Sequence, residues 1–315
     1  MKKIKLLLFF LAVFTGLQAQ TNVSGTISSN TTWLLSGSPY ILTSSVSVQG
    51  VMLTIEPGAV VQTQGNTIEV RTNRRYESGK YVSYYGKLQA DGVSFTSPNT
   101  RSNASQINFE GINETVSGSN AVIPHYAGGT LKNCTFTNVK IVCRVASDPS
   151  ITGSTFTTDL TNERNSGICL SSDDGSIPSW SGNLISGYQY AFSISDESQP
   201  LVSGNDIAGC ATNYTALSGT FDADYTLRNN GYPYRLTGTV SVYGATFVIS
   251  TGLTLDQPGH SIEIRSQRRY ESGKDVYYVG KLQAEGVSFT SPNTRSNASQ
   301  INFEGINETV SGSNA

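Results

Sequence analysis

The chain has 315 residues, of which 14% are charged and 37% hydrophobic, with a formal net charge of −2. That length can bury a large core as one domain or two, and the acidic balance argues against a nucleic-acid partner. Low charge with abundant Ser, Thr, Asn and Gly suits an all-β protein better than a helical one.

The first residues have the layout of a secretory signal. Lys2, Lys3 and Lys5 form a basic region, Leu6 to Phe14 is apolar, and Leu17-Gln18-Ala19 supplies a small-residue cleavage site before Gln20. The apolar run is too short to span a bilayer, and no later run is long enough to do so. Loss of residues 1–19 removes three of the 21 basic residues, leaving 18 against 23 acidic ones and a net charge near −5. A secreted or cell-surface location follows as the expectation.

Residues 24–121 recur without a gap at 218–315, each position reappearing 194 residues later. Ser24-Gly25-Thr26 matches Ser218-Gly219-Thr220, and Val46-Ser47-Val48 matches Val240-Ser241-Val242. The likeness is loose up to about Gln64 and then tightens. From Gly86 to Ala121 only Asp91 differs, becoming Glu285. Recent duplication accounts for such near identity without any functional meaning. The chain divides into a leader at 1–19, a first copy at 20–121, a central block at 122–217 and a second copy at 218–315. Ala315 is the mate of Ala121, so the second copy reads as truncated and the chain as a fragment of a longer protein.

Within the first copy, Arg74-Arg75-Tyr76-Glu77-Ser78-Gly79-Lys80 reads as a projecting loop or hairpin between strands. Its mates are Arg268, Arg269, Tyr270 and Lys274. The central block carries a shorter repeat. Leu131-Lys132-Asn133-Cys134-Thr135-Phe136, Ile151-Thr152-Gly153-Ser154-Thr155-Phe156, Trp180-Ser181-Gly182-Asn183-Leu184-Ile185 and Val202-Ser203-Gly204-Asn205-Asp206-Ile207 share one pattern. Their start points lie 20, 29 and 22 residues apart. Gly or Asn tolerates a left-handed backbone and marks a sharp bend between two short strands. The apolar residues on either side point inward, and the small residue beside the bend can stack on its equivalents, Asn on Asn.

A second strand follows in most of these units: Ile141 to Ser147, Ile168 to Ser172 and Phe192 to Ser195. Each runs into Asp148, Asp173 or Asp196, and Pro149, Pro178 or Pro200 then ends the strand because proline lacks the ladder donor. Helical periodicity is absent throughout. Strand, bend, strand, Asp and Pro make one turn of a solenoid of roughly 20 to 30 residues. A β-sandwich would not need the same bend chemistry at every turn.

These units, with the opening Leu53-Thr54-Ile55-Glu56-Pro57-Gly58-Ala59-Val60-Val61, resemble the right-handed parallel β-helix proteins of the pectate-lyase-like superfamily, of the secreted bacterial surface type. The resemblance covers nearly all of 24–315, although Ile249-Ser250-Thr251-Gly252 in the second copy lacks the Glu-Pro of Glu56-Pro57. It implies an all-β solenoid and says little about activity. Enzymes of the superfamily cleave acidic polysaccharides with clustered carboxylates, often with calcium, and an Arg or Lys.

No catalytic residue stands out. Arg74, Arg75, Tyr76 and Lys80, with Arg268, Arg269, Tyr270 and Lys274, are the residues best suited to contact an anionic glycan. Because the set is duplicated, it reads as a repeated binding surface. Asp148, Asp173 and Asp196 could form a column that binds calcium through oxygen ligands, or could cap strand ends through local hydrogen bonds. His125 and His260 occupy unmatched positions and offer no nucleophilic or metal pattern. Thr135-Phe136-Thr137 and Thr155-Phe156-Thr157 present an outward Thr row that stops after two ranks. The four cysteines read as buried small apolar side chains; export permits disulfides but the spacing names no pairing, a Cys143–Cys169 bridge between neighbouring turns being one option. The expectation is a secreted structural or adhesive protein that contacts carbohydrate or another surface polymer. A polysaccharide lyase or hydrolase is the alternative. The ligand and the oligomeric state are not legible.

Overall fold

The computed structural model describes residues 20–98, 103–116, 122–271, 273–292 and 299–306. The leader at 1–19 and the final residues of the second copy lie outside them. Alternation of apolar and polar residues makes the strands. In Thr67–Arg71, Ile68 and Val70 are buried while the residues between them are half-buried, and Ser105–Glu110 repeats the pattern. Such strands pair in parallel with register kept from rung to rung. Ile68 lies opposite Ile107, Ile107 opposite Ile141, Ile141 opposite Leu170, and Leu170 opposite Phe192. The strands assemble into parallel sheets of 19, seven and three strands. Among the described residues, three two-stranded antiparallel hairpins stand apart from these sheets.

The four central units stack as their shared pattern requires. Leu131, Ile151, Trp180 and Val202 form one aligned column. Phe95, Phe136, Phe156 and Ile185 form another. The rings of Phe95 and Phe136 are 5.0 Å apart and those of Phe136 and Phe156 4.3 Å, both pairs stacked with nearly parallel planes. Burying a Phe side chain contributes about 1.5–3 kcal/mol. The parallel pairing of 131–132 with 151–152 excludes an antiparallel sandwich in this region.

The bends fall where Gly or Asn was expected. Asn133, Gly153, Gly182 and Gly204 have φ of 52°, 58°, 62° and 59°, a region open to Gly and tolerated by Asn. The next residue in each unit forms a ladder. Ser154 Oγ accepts the Cys134 N–H, Asn183 Oδ1 accepts the Ser154 N–H, and Asn205 Oδ1 accepts the Asn183 N–H. Asn183 Nδ2 donates to the Ile151 carbonyl and to Asn205 Oδ1, while Asn205 Nδ2 donates to the Trp180 carbonyl. The ladder thus satisfies the backbone groups that the bend frees.

Several expectations need correction. A six-residue helix, Thr161–Ser166, interrupts the all-strand pattern. It is too short to display apolar periodicity, and it fills the longest interval, between Ile151 and Trp180. Its Glu163 is buried and accepts the Ala104 N–H at 2.9 Å and Lys140 Nζ at 3.2 Å. The strand expected at Ile141 to Ser147 is Val139–Arg144, because Val145 and Ala146 turn into positive φ. Asp174, Asp196 and Glu197 do the same after the next two strands. Left-handed residues therefore end these strands, and Pro149, Pro178 and Pro200 sit just before the next ones, Ser150–Thr152, Ser179–Ser181 and Leu201–Ser203. All four cysteines are free, so no Cys143–Cys169 bridge forms; Cys134, Cys143 and Cys169 are buried and Cys210 is partly so. The Thr row gains a rank, since Ser94 and Thr96 lie beside Thr135 and Thr137.

The matched segments adopt matched strands. Thr21–Ile27 pairs with Tyr40–Gln49 with a register shift between Val23 and Gly25. Thr215–Phe221 pairs with Tyr234–Tyr243 with the shift between Leu217 and Gly219.

Candidate functional site

Arg74 and its neighbours lie on an antiparallel hairpin. Asn73–Glu77 pairs with Lys80–Tyr84, and Ser78 and Gly79 turn between them with φ of 49° and 84°. Two successive positive-φ residues make the two-residue turn whose twist suits a hairpin. Residues opposite each other share a face, so the two faces carry different chemistry. One holds Arg74, Tyr76, Tyr81 and Ser83; the other holds Arg75, Glu77, Lys80, Val82 and Tyr84.

On the first face, Tyr76 and Tyr81 meet edge to face with centroids 5.1 Å apart. They are 65% and 61% exposed, so both rings are offered to solvent. The Arg74 guanidinium lies 4.2 Å from the centre of the Tyr81 ring. It also pairs with Glu114, which comes from a second hairpin, Ile112–Thr115 with Val122–His125. The other Glu114 oxygen lies 2.9 Å from His125 Nε2, and Tyr85 Oη is 3.5 Å from His125 Nδ1. The His125 hydrogen bond and the Arg74 charge hold the Glu114 carboxyl below its ordinary value. On the second face Arg75 lies 5.0 Å from the Tyr84 ring centre, and Tyr84 Oη donates to Glu77 at 2.8 Å. That bond to a carboxylate raises the Tyr84 hydroxyl. Lys80 is exposed at the turn.

The matched hairpin, Gln267–Glu271 with Lys274–Tyr278, has the same register. Arg269 lies 5.0 Å from the Tyr278 ring centre, and Tyr278 Oη donates to Glu271. The first face differs, because Asp275 stands where the first copy has Tyr81. Arg268 pairs with Asp275 at 2.9 Å, and Tyr270 is left 74% exposed. Lys274 is exposed. The two hairpins thus share a cation–tyrosine back face and differ in the front.

The aspartates sort into two places. Asp173 and Asp196 share an open depression of about 480 Å³ with Asp174, Glu197, Asp222 and Arg144. Asp148 does not line it. The carboxyl of Asp148 packs near Gly128; burial raises it, and the charge of Lys87 opposes the rise. The separation arises because Asp173 and Asp196 directly follow their strands, whereas Asp148 lies beyond the turn at Val145 and Ala146. Burial pushes the Asp173 carboxyl up to about 6; Arg144 opposes the shift, and Asp174 and Asp196 add to it. Burial also raises Asp174, with Asp196 and Asp222 reinforcing it. Backbone contacts occupy part of the cluster. Asp196 Oδ1 accepts the Thr220 N–H, and Glu197 Oε1 accepts those of Asp222 and Ala223. Among the described residues no group of three or more His, Cys, Asp or Glu is arranged to hold a metal ion. The three aspartates therefore do not share one place, since Asp148 is not among the residues that line the depression of Asp173 and Asp196.

Sequence reasoning missed Glu114, Tyr81, Tyr85 and His125 as one network, because their partners lie far apart along the chain. Within the first hairpin Glu77 takes the Tyr84 hydroxyl, while Arg74 is paired by Glu114 from the second. Arg144 gave no signal either, since its place beside Asp173 depends on rung register. No helix among the described residues is long and apolar enough to cross a membrane. Compared with protein-family models, curated proteins and solved structures, the chain gives no match.

Proposed function

We propose that the chain is a secreted or cell-surface right-handed parallel β-helix of the pectate-lyase-like type, acting as a stiff support for carbohydrate-contacting hairpins. The exposed Tyr76–Tyr81 pair backed by Arg74 carries this reading. Two unburied rings with an adjacent cation supply the apolar faces and hydrogen-bonding edge that a sugar ring engages. The in-register stack supports the rigidity, because each rung is fixed by its neighbours. The basic, apolar leader at 1–19 supports export, and the duplicated hairpins support contact with an extended polymer, since two linked sites gain avidity without new contacts.

One observation favours a second reading, a polysaccharide lyase or hydrolase. The carboxylates of Asp173, Asp174, Asp196 and Glu197 share a depression with Arg144, and Asp173 is tuned toward the neutral range where a carboxyl can exchange protons. A panel of neutral and acidic polysaccharides separates the two. The binding reading expects retarded migration of the protein in gels containing a retained polymer, with no new chain ends. New unsaturated or reducing ends, lost in Asp173→Asn, would establish the second reading, and neither result on any polymer would reject both.

A further inference from the structure

Among the described residues, one column of strands is interrupted in the interior of the chain. Leu201–Ser203 closes the seven-stranded sheet and Tyr225–Leu227 opens the three-stranded one, and no pairing joins them among the described residues. On either side of this break, successive strands of the column pair directly. The buried core divides at the same level, Ile207 belonging to one cluster and Leu217 to the next. A cleft of about 290 Å³ lies between the two strand edges. Ile194, Val202 and Tyr234 line its apolar part, and Gln199, Arg228 and Asn229 its polar part.

The copies diverge at this level. Where the first has Trp33, Leu34 and Leu35, the second has Leu227, Arg228 and Asn229. The change removes ring volume and adds a cation. Arg228 is exposed, and its side chain takes part in none of the ion pairs formed among the described residues. A sugar does not suit the cleft, because Tyr225 and Tyr234 are only 4% and 1% exposed and offer no ring face.

We infer that this cleft takes an extended peptide strand bearing a carboxylate, its backbone pairing along Leu201–Ser203 or Tyr225–Leu227 and its acid meeting Arg228. A strand edge presents unpaired N–H and C=O groups that an added strand satisfies, and apolar pockets beside the edge select its side chains. An acidic peptide complements Arg228 without displacing a partner.

The test uses the full chain and a fluorescein-labelled octapeptide of alternating Thr and Val that ends in Asp. The controls end in Lys or carry N-methyl groups at alternate residues. The Asp peptide is expected to bind at least about tenfold tighter than the Lys peptide, a difference of about 1.4 kcal/mol. Arg228→Ala should erase that preference without moving the melting temperature, and N-methylation should abolish binding. Hydrogen exchange should slow at 201–203 and 225–227 on peptide addition. Equal binding of the Asp and Lys peptides, no binding of either, or protection elsewhere would overturn the proposal. So would protection of these strands by self-association without peptide.

Discussion

Glu114 grips the Arg74 guanidinium from a separate hairpin, and that guanidinium lies against the ring of Tyr81. Two hairpins are thereby joined at the front face of the first. Because the Glu114 carboxyl is held below its ordinary 4.5, the brace is complete above that pH and is lost as pH falls through the depressed value. Glu114→Gln should weaken retention of a bound polysaccharide roughly threefold at pH 7, the scale of a part-exposed ion pair. The gap between variant and parent should close only as pH falls through that depressed value, where Glu114 itself becomes protonated. Affinity measured from pH 3 to 8 checks this, and a pH-independent gap would count against the brace.

Phe136 tests the aromatic column. It is fully buried between Phe95 and Phe156, and truncation leaves a cavity that the flanking rungs cannot easily close. Phe136→Ala should cost about 3–5 kcal/mol in urea unfolding. A loss under about 1 kcal/mol would mean that the column is not the packed core described.

Asn183 tests the ladder. Its side chain accepts one backbone N–H and donates twice, at 1% exposure. Asn183→Ala leaves buried groups unpaired on two rungs and should cost about 2–4 kcal/mol. Asn183→Asp should also destabilise at neutral pH, because a carboxylate cannot donate to the Ile151 carbonyl. Denaturant midpoints for both variants decide the matter.

Asp173 gives a pH signature of opposite sign to that of Glu114. Its carboxyl is raised to about 6 by burial, against the pull of Arg144 and with the push of Asp174 and Asp196. Stability from its neutral form is therefore full below the ordinary carboxylate range and lost as pH rises through about 6. Asp173→Asn should raise the melting temperature at pH 8 and leave it nearly unchanged at pH 4. Melting curves at the two values give the comparison, and a larger gain at pH 4 would contradict the assignment.

Much of the architecture is legible in the sequence because it rests on local rules repeated many times. The four bend units align as their apolar residues require, and Asn133, Gly153, Gly182 and Gly204 occupy the left-handed region that their chemistry permits. The hairpin at Arg74 is legible for the same reason, since Ser78-Gly79 is a turn signal between alternating residues. Features set by register between distant segments are not. Nothing near Arg74 points to Glu114, and nothing near Arg144 points to Asp173. The helix Thr161–Ser166 is hidden because one and a half turns carry no readable period. The proline rule fails because Val145, Ala146 and Glu197 adopt positive φ without being glycine, and the first of these strands stops at Arg144, short of Ser147.

The most direct test of the account is polysaccharide retention by the front face of the first hairpin. Tyr76→Ala/Tyr81→Ala removes two exposed rings and should leave the melting temperature within about a degree or two, because neither ring belongs to the core. Dissociation constants measured by affinity electrophoresis on a retained polymer should rise at least about tenfold in the double variant, roughly the stacking of two rings. Tyr270→Ala should have a smaller effect, since its hairpin carries Asp275 in place of the second ring. Undiminished retention in the double variant, with the parent and variant equally folded, would contradict the claim that this face meets carbohydrate.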